Sequence, residues 1–246
     1  ALAAVRRSPE MGLTEATATV DAITLRARIE SIAAKLEHGT RQLLDSQGVR
    51  ILRGTGRLVG PHQVVADTAE GAVEIEADAI LLATGSRPRL PDWADVDGER
   101  VLSTRDAYPP PSWPAHLVVI GSGVTGVEFV HMFSSLGSEV TLIVSRQHVL
   151  PQKDPEVAAA LEDELLRRGV KLLKGARAVG IDRAGATVTV RCDDGRAVSG
   201  SHALMAIGSI PNSEGLGLEL AGVTSDGGYV PVDAACCTNV PHIYAA

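Results

Sequence analysis

The sequence predicts an α/β fold built around a parallel β-sheet, and three observations support this class. Between residues 117 and 173, short apolar runs of strand length alternate with segments of helical periodicity. The first of these runs leads into a Gly-x-Gly-x-x-Gly turn. Two strand-like segments, residues 79–82 and 202–207, lead into the sequence Gly-Ser-x-Pro at residues 85–88 and 208–211. Strands that alternate with helices in this way are typical of parallel sheets.

The glycine-rich turn contains Gly121, Gly123 and Gly126, between the apolar run and a helical segment. In turns of this type the first glycine permits a tight strand-to-helix turn, the second lets backbone approach a pyrophosphate, and the third permits close packing of the helix. Amides at the helix N-terminus, here those of Val124 and Thr125, attract the anion. This segment therefore predicts a Rossmann-like dinucleotide-binding site.

Before the proline-rich stretch at residues 109–114, the sequence predicts one helix and several short strands. The helix is predicted to end near Gly48 and to bury a stripe formed by Ile29, Ile32, Leu36 and Leu43. The strand-like pieces are residues 49–52, 63–65, 73–75 and 79–82. Proline disrupts both helix and sheet, so we expect a domain boundary at the proline-rich stretch.

After this boundary the alternation continues. The helix that follows the glycine turn is predicted to end at Gly137, and Asp154 and Pro155 predict the start of a further helix. That helix is predicted to bury Val157, Leu161 and Leu165, and to leave its acidic run, residues 162–164, in solvent. The remaining strands are predicted at residues 140–144, 170–173, 186–191, 196–198 and 202–207.

Composition restricts the function classes. The chain has 246 residues, 45% of them hydrophobic, which is enough for a globular core. Its net charge of −7, without a cluster of Lys or Arg, argues against nucleic acid or an anionic membrane as the partner. The three cysteines and seven histidines lack the spacing of a disulfide framework or a metal site. We therefore expect a cytoplasmic protein that binds neither metal, membrane nor nucleic acid.

The end of the second strand indicates which nucleotide is bound. NAD-preferring sites usually carry Asp or Glu there to bind the ribose 2′-hydroxyl. This sequence has Val144, Ser145 and Arg146 instead. The missing carboxylate removes a repulsion against a 2′-phosphate, and Arg146 can pair with that group, although it can equally be a solvated charge. We predict that NADPH and NADH both bind, with a preference for NADPH.

Residues 119–126, 148–151 and 200–205 resemble segments of the pyridine nucleotide-disulfide oxidoreductases. These flavoproteins include lipoamide dehydrogenase, glutathione reductase and soluble pyridine nucleotide transhydrogenase, and the nearest similarity is to lipoamide-dehydrogenase-like quinone reductases. The resemblance covers nearly the whole chain and implies a Rossmann-like NAD(P)-binding domain inserted into part of an FAD-binding domain of the same class. It places part of the FAD domain in residues 1–113, the NAD(P) domain in residues 114–235, and the return to the FAD domain in residues 236–246.

The resemblance also implies roles for individual residues. Gly56, Thr84 and Gly85 are expected to contact FAD, and Glu128 matches a catalytic glutamate near the nicotinamide. The residues expected to bind NAD(P)H are Gly121, Gly123, Val124, Thr125, Gly126, Val144, Ser145, Arg146, Ala178, Ile207 and Gly208.

The implied reaction is hydride transfer from NADH or NADPH to FAD, followed by reduction of a small-molecule acceptor, either a quinone or a disulfide. Soluble transhydrogenase and dihydrolipoamide dehydrogenase are alternative activities, and a non-catalytic NAD(P)H-binding module is an alternative of another class. Family members carry an FAD glycine turn, a redox cysteine pair and a dimerisation domain that do not occur in this sequence. We therefore expect a central fragment, incomplete as a catalyst, of a protein that is a homodimer at full length.

Overall fold

The computed structural model describes residues 5, 8–12, 14 and 17–246, and it divides the chain into two compact units. The first unit contains the described residues up to Ala33 together with Pro88–Gly208, and the second contains Ala34–Arg87 and Ser209–Ala246. These limits differ from the boundaries predicted at 113/114 and 235/236. The strand Val101–Ser103 accounts for the first difference, because it pairs within the sheet of the first unit.

In the described part of the chain, α-helices and strands alternate regularly only between residues 116 and 174. In chain order they are α1 (Ala22–Ser46), β1 (Gly54–Gly60), β2 (Gln63–Thr68), β3 (Gly71–Glu76), β4 (Ile80–Leu82), β5 (Ser86–Pro88), β6 (Val101–Ser103), β7 (His116–Ile120), α2 (Val124–Ser135), β8 (Glu139–Val144), α3 (Pro155–Arg167), β9 (Lys171–Lys174), β10 (Ala178–Ala184), β11 (Thr187–Cys192), β12 (Ala197–Gly200), β13 (His202–Met205), β14 (Ser209–Pro211) and β15 (Ile243–Ala245).

The first unit is organised by a five-stranded sheet in the order β6-β13-β7-β8-β9, and all four pairings are parallel. Its central strand β7 is apolar from Leu117 to Ile120, as is typical of a strand that is covered on both faces of the sheet. Leu117, Val118 and Val119 of β7 have no exposed surface, and Val130 and Phe133 of α2 are equally buried. The α/β class with a parallel sheet is therefore confirmed. A second, antiparallel sheet β10-β11-β12 matches the strands predicted at residues 186–191 and 196–198.

Helix α3 begins where the sequence predicts, because the Asp154 carboxylate accepts the backbone N–H groups of Glu156 at 2.8 Å and Val157 at 3.4 Å. The predicted buried stripe is wrong at its first position, since Val157 is 59% exposed. The buried face instead includes Ala158, Glu162 and Leu165, so the stripe starts one residue later. The prediction that Glu162 faces solvent is wrong for the same reason, because it lies four residues after Ala158.

The second unit contains the antiparallel sheet β1-β2-β3 and the parallel pair β4-β15. Its core includes Leu58 from β1, Ile80 from β4 and Ile243 from β15. The strands predicted at residues 63–65 and 73–75 lie within β2 and β3, and β4 covers all but the first residue of the strand predicted at 79–82.

Two predictions near the start of the chain are wrong. Residues 49–52 form no strand, because no described strand pairs with them to satisfy their backbone. Helix α1 is present and ends before Gly48, whose φ of +71° suits glycine. Its apolar stripe, however, is not buried. Leu36 and Leu43 are 68% and 61% exposed, since no buried cluster of the described residues includes this helix face.

Candidate dinucleotide-binding site

The turn between β7 and α2 requires glycine at two positions. Gly121 has a φ of +108°, and a β-carbon there would overlap the carbonyl group of Ala206. A β-carbon on Gly126 would overlap the carbonyl oxygen of Gly121. The tight turn and the close packing that the sequence predicts are therefore present in the structure.

Gly123 differs from the other two glycines of the turn. It is exposed, its backbone is extended at the N-cap of α2, and a β-carbon would meet nothing within 4 Å. No side chain in the described part of the chain caps this helix. The amide groups of its first turn are therefore free to bind an anion.

A cavity of about 320 Å³ lies over this turn. It is formed at the carboxyl ends of β7, β8 and β13, which is where ligands bind in open parallel sheets. Its size is at the lower end of the range for small-molecule sites. Of the residues predicted to bind NAD(P)H, those that line it are Gly121, Gly123, Val124, Ser145, Arg146, Ile207 and Gly208.

Four of the predicted NAD(P)H contacts do not line the cavity. Thr125 is exposed on the first turn of α2, and Gly126 is buried beneath that turn. Val144 has no exposed surface and Ala178 is 5% exposed, in the core shared with the antiparallel sheet. The side chains of Val144 and Ala178 pack in the core, so only the backbone of these two residues can contact a nucleotide. That contact remains a prediction.

The charge of the cavity lining is positive. Arg146, at the exposed end of β8, and Lys153 contribute the two charged side chains, and no Asp or Glu belongs to the lining. The sequence predicts Arg146 but not Lys153. The signal for Lys153 was weak, because the residue lies in an irregular loop immediately before the helix cap Asp154.

This loop, residues 147–153, is fixed to the turn by its backbone. Leu150 donates its backbone N–H to the carbonyl oxygen of Ser122 at 2.8 Å, and Lys153 donates its own to the carbonyl of Leu150 at 2.8 Å. Leu150 has a φ of +48°, a conformation that is unusual for a residue with a side chain. The glycine turn and the loop thus form adjoining walls of one cavity.

Glu162 of α3 holds the same loop from behind. Its carboxylate accepts the backbone N–H of the fully buried Val149 at 2.9 Å and pairs with the Lys174 ammonium at 2.7 Å. Burial raises the pKa of Glu162, but the bonds from Lys174 and Val149 outweigh it, and the net pKa lies below its ordinary value. The carboxylate is therefore ionised at neutral pH. Sequence reasoning missed this role because it placed Glu162 in solvent.

Glu128, the predicted catalytic residue, is exposed on α2, one turn after Val124. It does not line the cavity, and none of the described residues pairs with its carboxylate. Its catalytic role remains a prediction.

Thr84 and Gly85, predicted to contact FAD, line a separate cavity of about 400 Å³ in the second unit. Gly85 has a φ of +66°, so the chain turns sharply at the end of β4. Asn212 donates to both residues, from its side chain to the Thr84 carbonyl at 3.0 Å and from its backbone to the Gly85 carbonyl at 3.0 Å. Gly56 lies in β1 opposite Ala66 and does not line this cavity.

The two Gly-Ser-x-Pro sequences are paired with each other. Their strands β5 and β14 form a two-stranded sheet. Gly208 of the first unit accepts the backbone N–H of Arg89 at 2.9 Å. Each sequence also contributes to a cavity: Gly208 to the one over the glycine turn, and Gly85 to the one in the second unit.

Neither a metal-binding cluster of side chains nor a membrane-spanning helix occurs among the described residues. No group of three or more His, Cys, Asp or Glu side chains is placed to hold a metal ion. No helix there combines the length and the apolar character that crossing a bilayer requires.

The family model described as pyridine nucleotide-disulphide oxidoreductase matches residues 4–246. The chain belongs to this family. The resemblance inferred from the sequence motifs is confirmed, and so is the α/β fold class with a Rossmann-like domain.

Two curated members of the pyridine nucleotide-disulphide oxidoreductase family illustrate the similarity. The NAD(P)H dehydrogenase (quinone) of Mycobacterium tuberculosis strain H37Rv is 42% identical over 252 residues, covering 98% of this chain and 51% of that protein. The dihydrolipoyl dehydrogenase of Zymomonas mobilis is 34% identical over 239 residues, covering 95% and 51% respectively. The chain therefore spans about half the length of the curated relatives it matches.

Solved structures agree with this family assignment. LpdA from Mycobacterium tuberculosis has a TM-score of 0.90 and 42% identity, and the match covers 100% of this chain and 54% of that one. The HOCl-induced flavoprotein disulfide reductase RclA from Escherichia coli has a TM-score of 0.80 and 24% identity, covering 92% and 53%. At that identity the RclA match shows the shared fold alone.

Proposed function

We propose that the protein is an FAD-dependent oxidoreductase that takes hydride from NAD(P)H and passes the electrons to a quinone. The observation that carries this proposal is the cavity over the glycine turn, in a chain of the pyridine nucleotide-disulphide oxidoreductase family. NAD(P)H gives up two electrons and one proton as hydride. A quinone takes up two electrons and two protons, the second of which comes from water.

The residues around the glycine turn fit a pyridine dinucleotide. Gly121 and Gly126 leave no room for a side chain, while Gly123 leaves open space where a pyrophosphate can approach the amides of Val124 and Thr125. Ile207 and Gly208 line the opposite strand end of the same cavity.

The residues of the second unit fit FAD less completely. Thr84 and Gly85 open onto a cavity and would hold the cofactor there, and the exposed backbone of Gly56 would contact it elsewhere. Bound FAD would supply the hydride-accepting and electron-passing chemistry. The chain itself would bind and orient the two cofactors. Glu128 is the residue proposed to act near the nicotinamide.

The choice of quinone rests on similarity. The relative named NAD(P)H dehydrogenase (quinone) is 42% identical, against 34% for the dihydrolipoyl dehydrogenase. Disulfide reduction and transhydrogenation are the alternative activities, and NAD(P)H binding without turnover is the alternative of another class. A preference for NADPH is proposed from Arg146, since no carboxylate lines the cavity to oppose a 2′-phosphate. A homodimeric state is proposed from the family alone, and a cytoplasmic location is proposed from the composition.

The proposal is tested with the intact protein. Its visible absorbance is recorded, NADPH is added without oxygen, and a quinone, lipoamide or oxidised NAD analogue is then supplied. Flavin bands that bleach with NADPH and return fastest with quinone support the proposed function. Fastest return with lipoamide or the NAD analogue assigns one of the alternative activities. Nucleotide binding without flavin bands contradicts the oxidoreductase and leaves a binding module.

A further inference from the structure

Two cations face the cavity over the glycine turn from the two ends of one loop. Arg146 precedes the loop at the end of β8, and Lys153 closes it before α3. Neither side chain forms an ion pair or a hydrogen bond with another described residue, so both charges are available to a ligand. The cavity lining contains no carboxylate that would neutralise them.

The loop that follows Arg146 and ends at Lys153 is held in place by contacts within the protein. Leu150 is bonded to Ser122 of the glycine turn, and Val149 is bonded to the carboxylate of Glu162. Because the backbone of the loop is already held, binding through Lys153 has to order its side chain but not the loop itself. Glu162 is thus a positioning residue for the loop.

The position of the loop distinguishes between the phosphates of a dinucleotide. The pyrophosphate belongs at the N-terminus of α2, where backbone amides provide the positive end of the helix. The ribose 2′ position belongs at the end of the second strand, here β8. Arg146 stands at that strand end, and Lys153 shares the cavity with it.

We propose that Lys153 is a second specificity-determining residue, which binds the 2′-phosphate of NADPH together with Arg146. This inference rests on the proposed NAD(P)H binding and deepens it by assigning the ligand group. Two cations on one phosphate dianion provide charge-assisted bonds that the 2′-hydroxyl of NADH cannot replace.

The test measures binding of 2′,5′-ADP and 5′-AMP to the intact protein by calorimetry. These probes share the adenosine 5′-phosphate and differ in the 2′-phosphate. In Lys153→Met, the Kd of 2′,5′-ADP is expected to rise about tenfold while that of 5′-AMP changes less than about twofold. Lys153→Arg should restore most of the discrimination. The matched control is Lys35→Met, an exposed lysine of α1 that lines no part of the cavity.

The outcomes separate this inference from the proposed function. If the unaltered protein discriminates between the probes and Lys153→Met does not change the ratio, the role of Lys153 is refuted and nucleotide binding stands. If both probes weaken equally, Lys153 contacts the shared 5′-phosphate, which also refutes the assignment. If neither probe nor NADPH binds the unaltered protein, the proposed function itself fails.

Discussion

The carboxylate of Glu162 accepts the backbone N–H of Val149 at 2.9 Å, and this bond joins α3 to the loop that lines the cavity over the glycine turn. The acceptor is 7% exposed and the donor has no exposed surface. A buried N–H group without an acceptor is costly, so this carboxylate helps to hold the loop, together with the bond from Leu150 to Ser122.

Replacing Glu162 with Leu should therefore destabilise the fold. The change leaves the Val149 N–H and the Lys174 ammonium without their partner, and we expect the free energy of unfolding to fall by about 2 kcal/mol. Glu162→Gln should lose less, because its amide oxygen still accepts from Val149. The free energy of unfolding of both variants is measured by denaturant titration. The control is Asp163→Leu, at an exposed neighbouring position; an equal loss there would show that the Glu162 contacts are not responsible.

His202 predicts a specific pH dependence of stability. The ring is fully buried in β13, with Nε2 2.9 Å from the Ser112 hydroxyl and Nδ1 3.0 Å from the Ser201 hydroxyl. Burial, assisted by the nearby Arg100, lowers its pKa from 6.5 to about 4. The neutral ring is therefore favoured in the folded state, while the unfolded chain takes up a proton below about pH 6.5.

The contribution of His202 to the free energy of unfolding should be complete above pH 6.5. It should decrease as the pH falls towards 4 and remain constant below pH 4. The full loss is about 3 kcal/mol. The free energy of unfolding, measured between pH 7 and pH 5, should fall more steeply in the unaltered protein than in His202→Asn. The control is His38→Asn, on the exposed face of α1, which should keep the original slope. Identical slopes in all three proteins would contradict the assignment.

The glycine turn offers a matched pair of substitutions. Gly126→Ala places a methyl group against the carbonyl oxygen of Gly121, so we expect a loss of about 2 kcal/mol in stability and weaker NADPH binding. Gly123→Ala meets nothing within 4 Å in a backbone conformation open to alanine, so unfolding should be unchanged. Its effect should appear in NADPH affinity alone, measured by titration. An unchanged affinity of Gly123→Ala for NADPH would contradict the proposal that the pyrophosphate lies beside Gly123.

The sequence predicts the parallel sheet well because buried strands such as β7 are apolar on both faces, and periodicity reports burial directly. It fails at residues 49–52, because an apolar run becomes a strand only if a neighbouring strand pairs with it. The prediction that Glu162 faces solvent is wrong because a charged side chain is buried only where a specific partner exists. That partner, the backbone N–H of Val149, lies 13 residues away in the sequence and cannot be identified from it. Lys153 was missed because its loop is shaped by the long-range bond from Leu150 to Ser122.

Arg146 should discriminate between the two nicotinamide nucleotides. It lines the cavity at the end of β8, with no acidic residue in the lining. Arg146→Ala removes a charge-assisted bond to a 2′-phosphate, so the kcat/KM for NADPH should fall about tenfold and that for NADH less than about twofold. The control is Arg177→Ala, an exposed arginine outside the cavity, which should leave both values unchanged. An equal fall in kcat/KM for NADPH and NADH would show that Arg146 binds a group common to both nucleotides. It would contradict the proposal that Arg146 determines the NADPH preference.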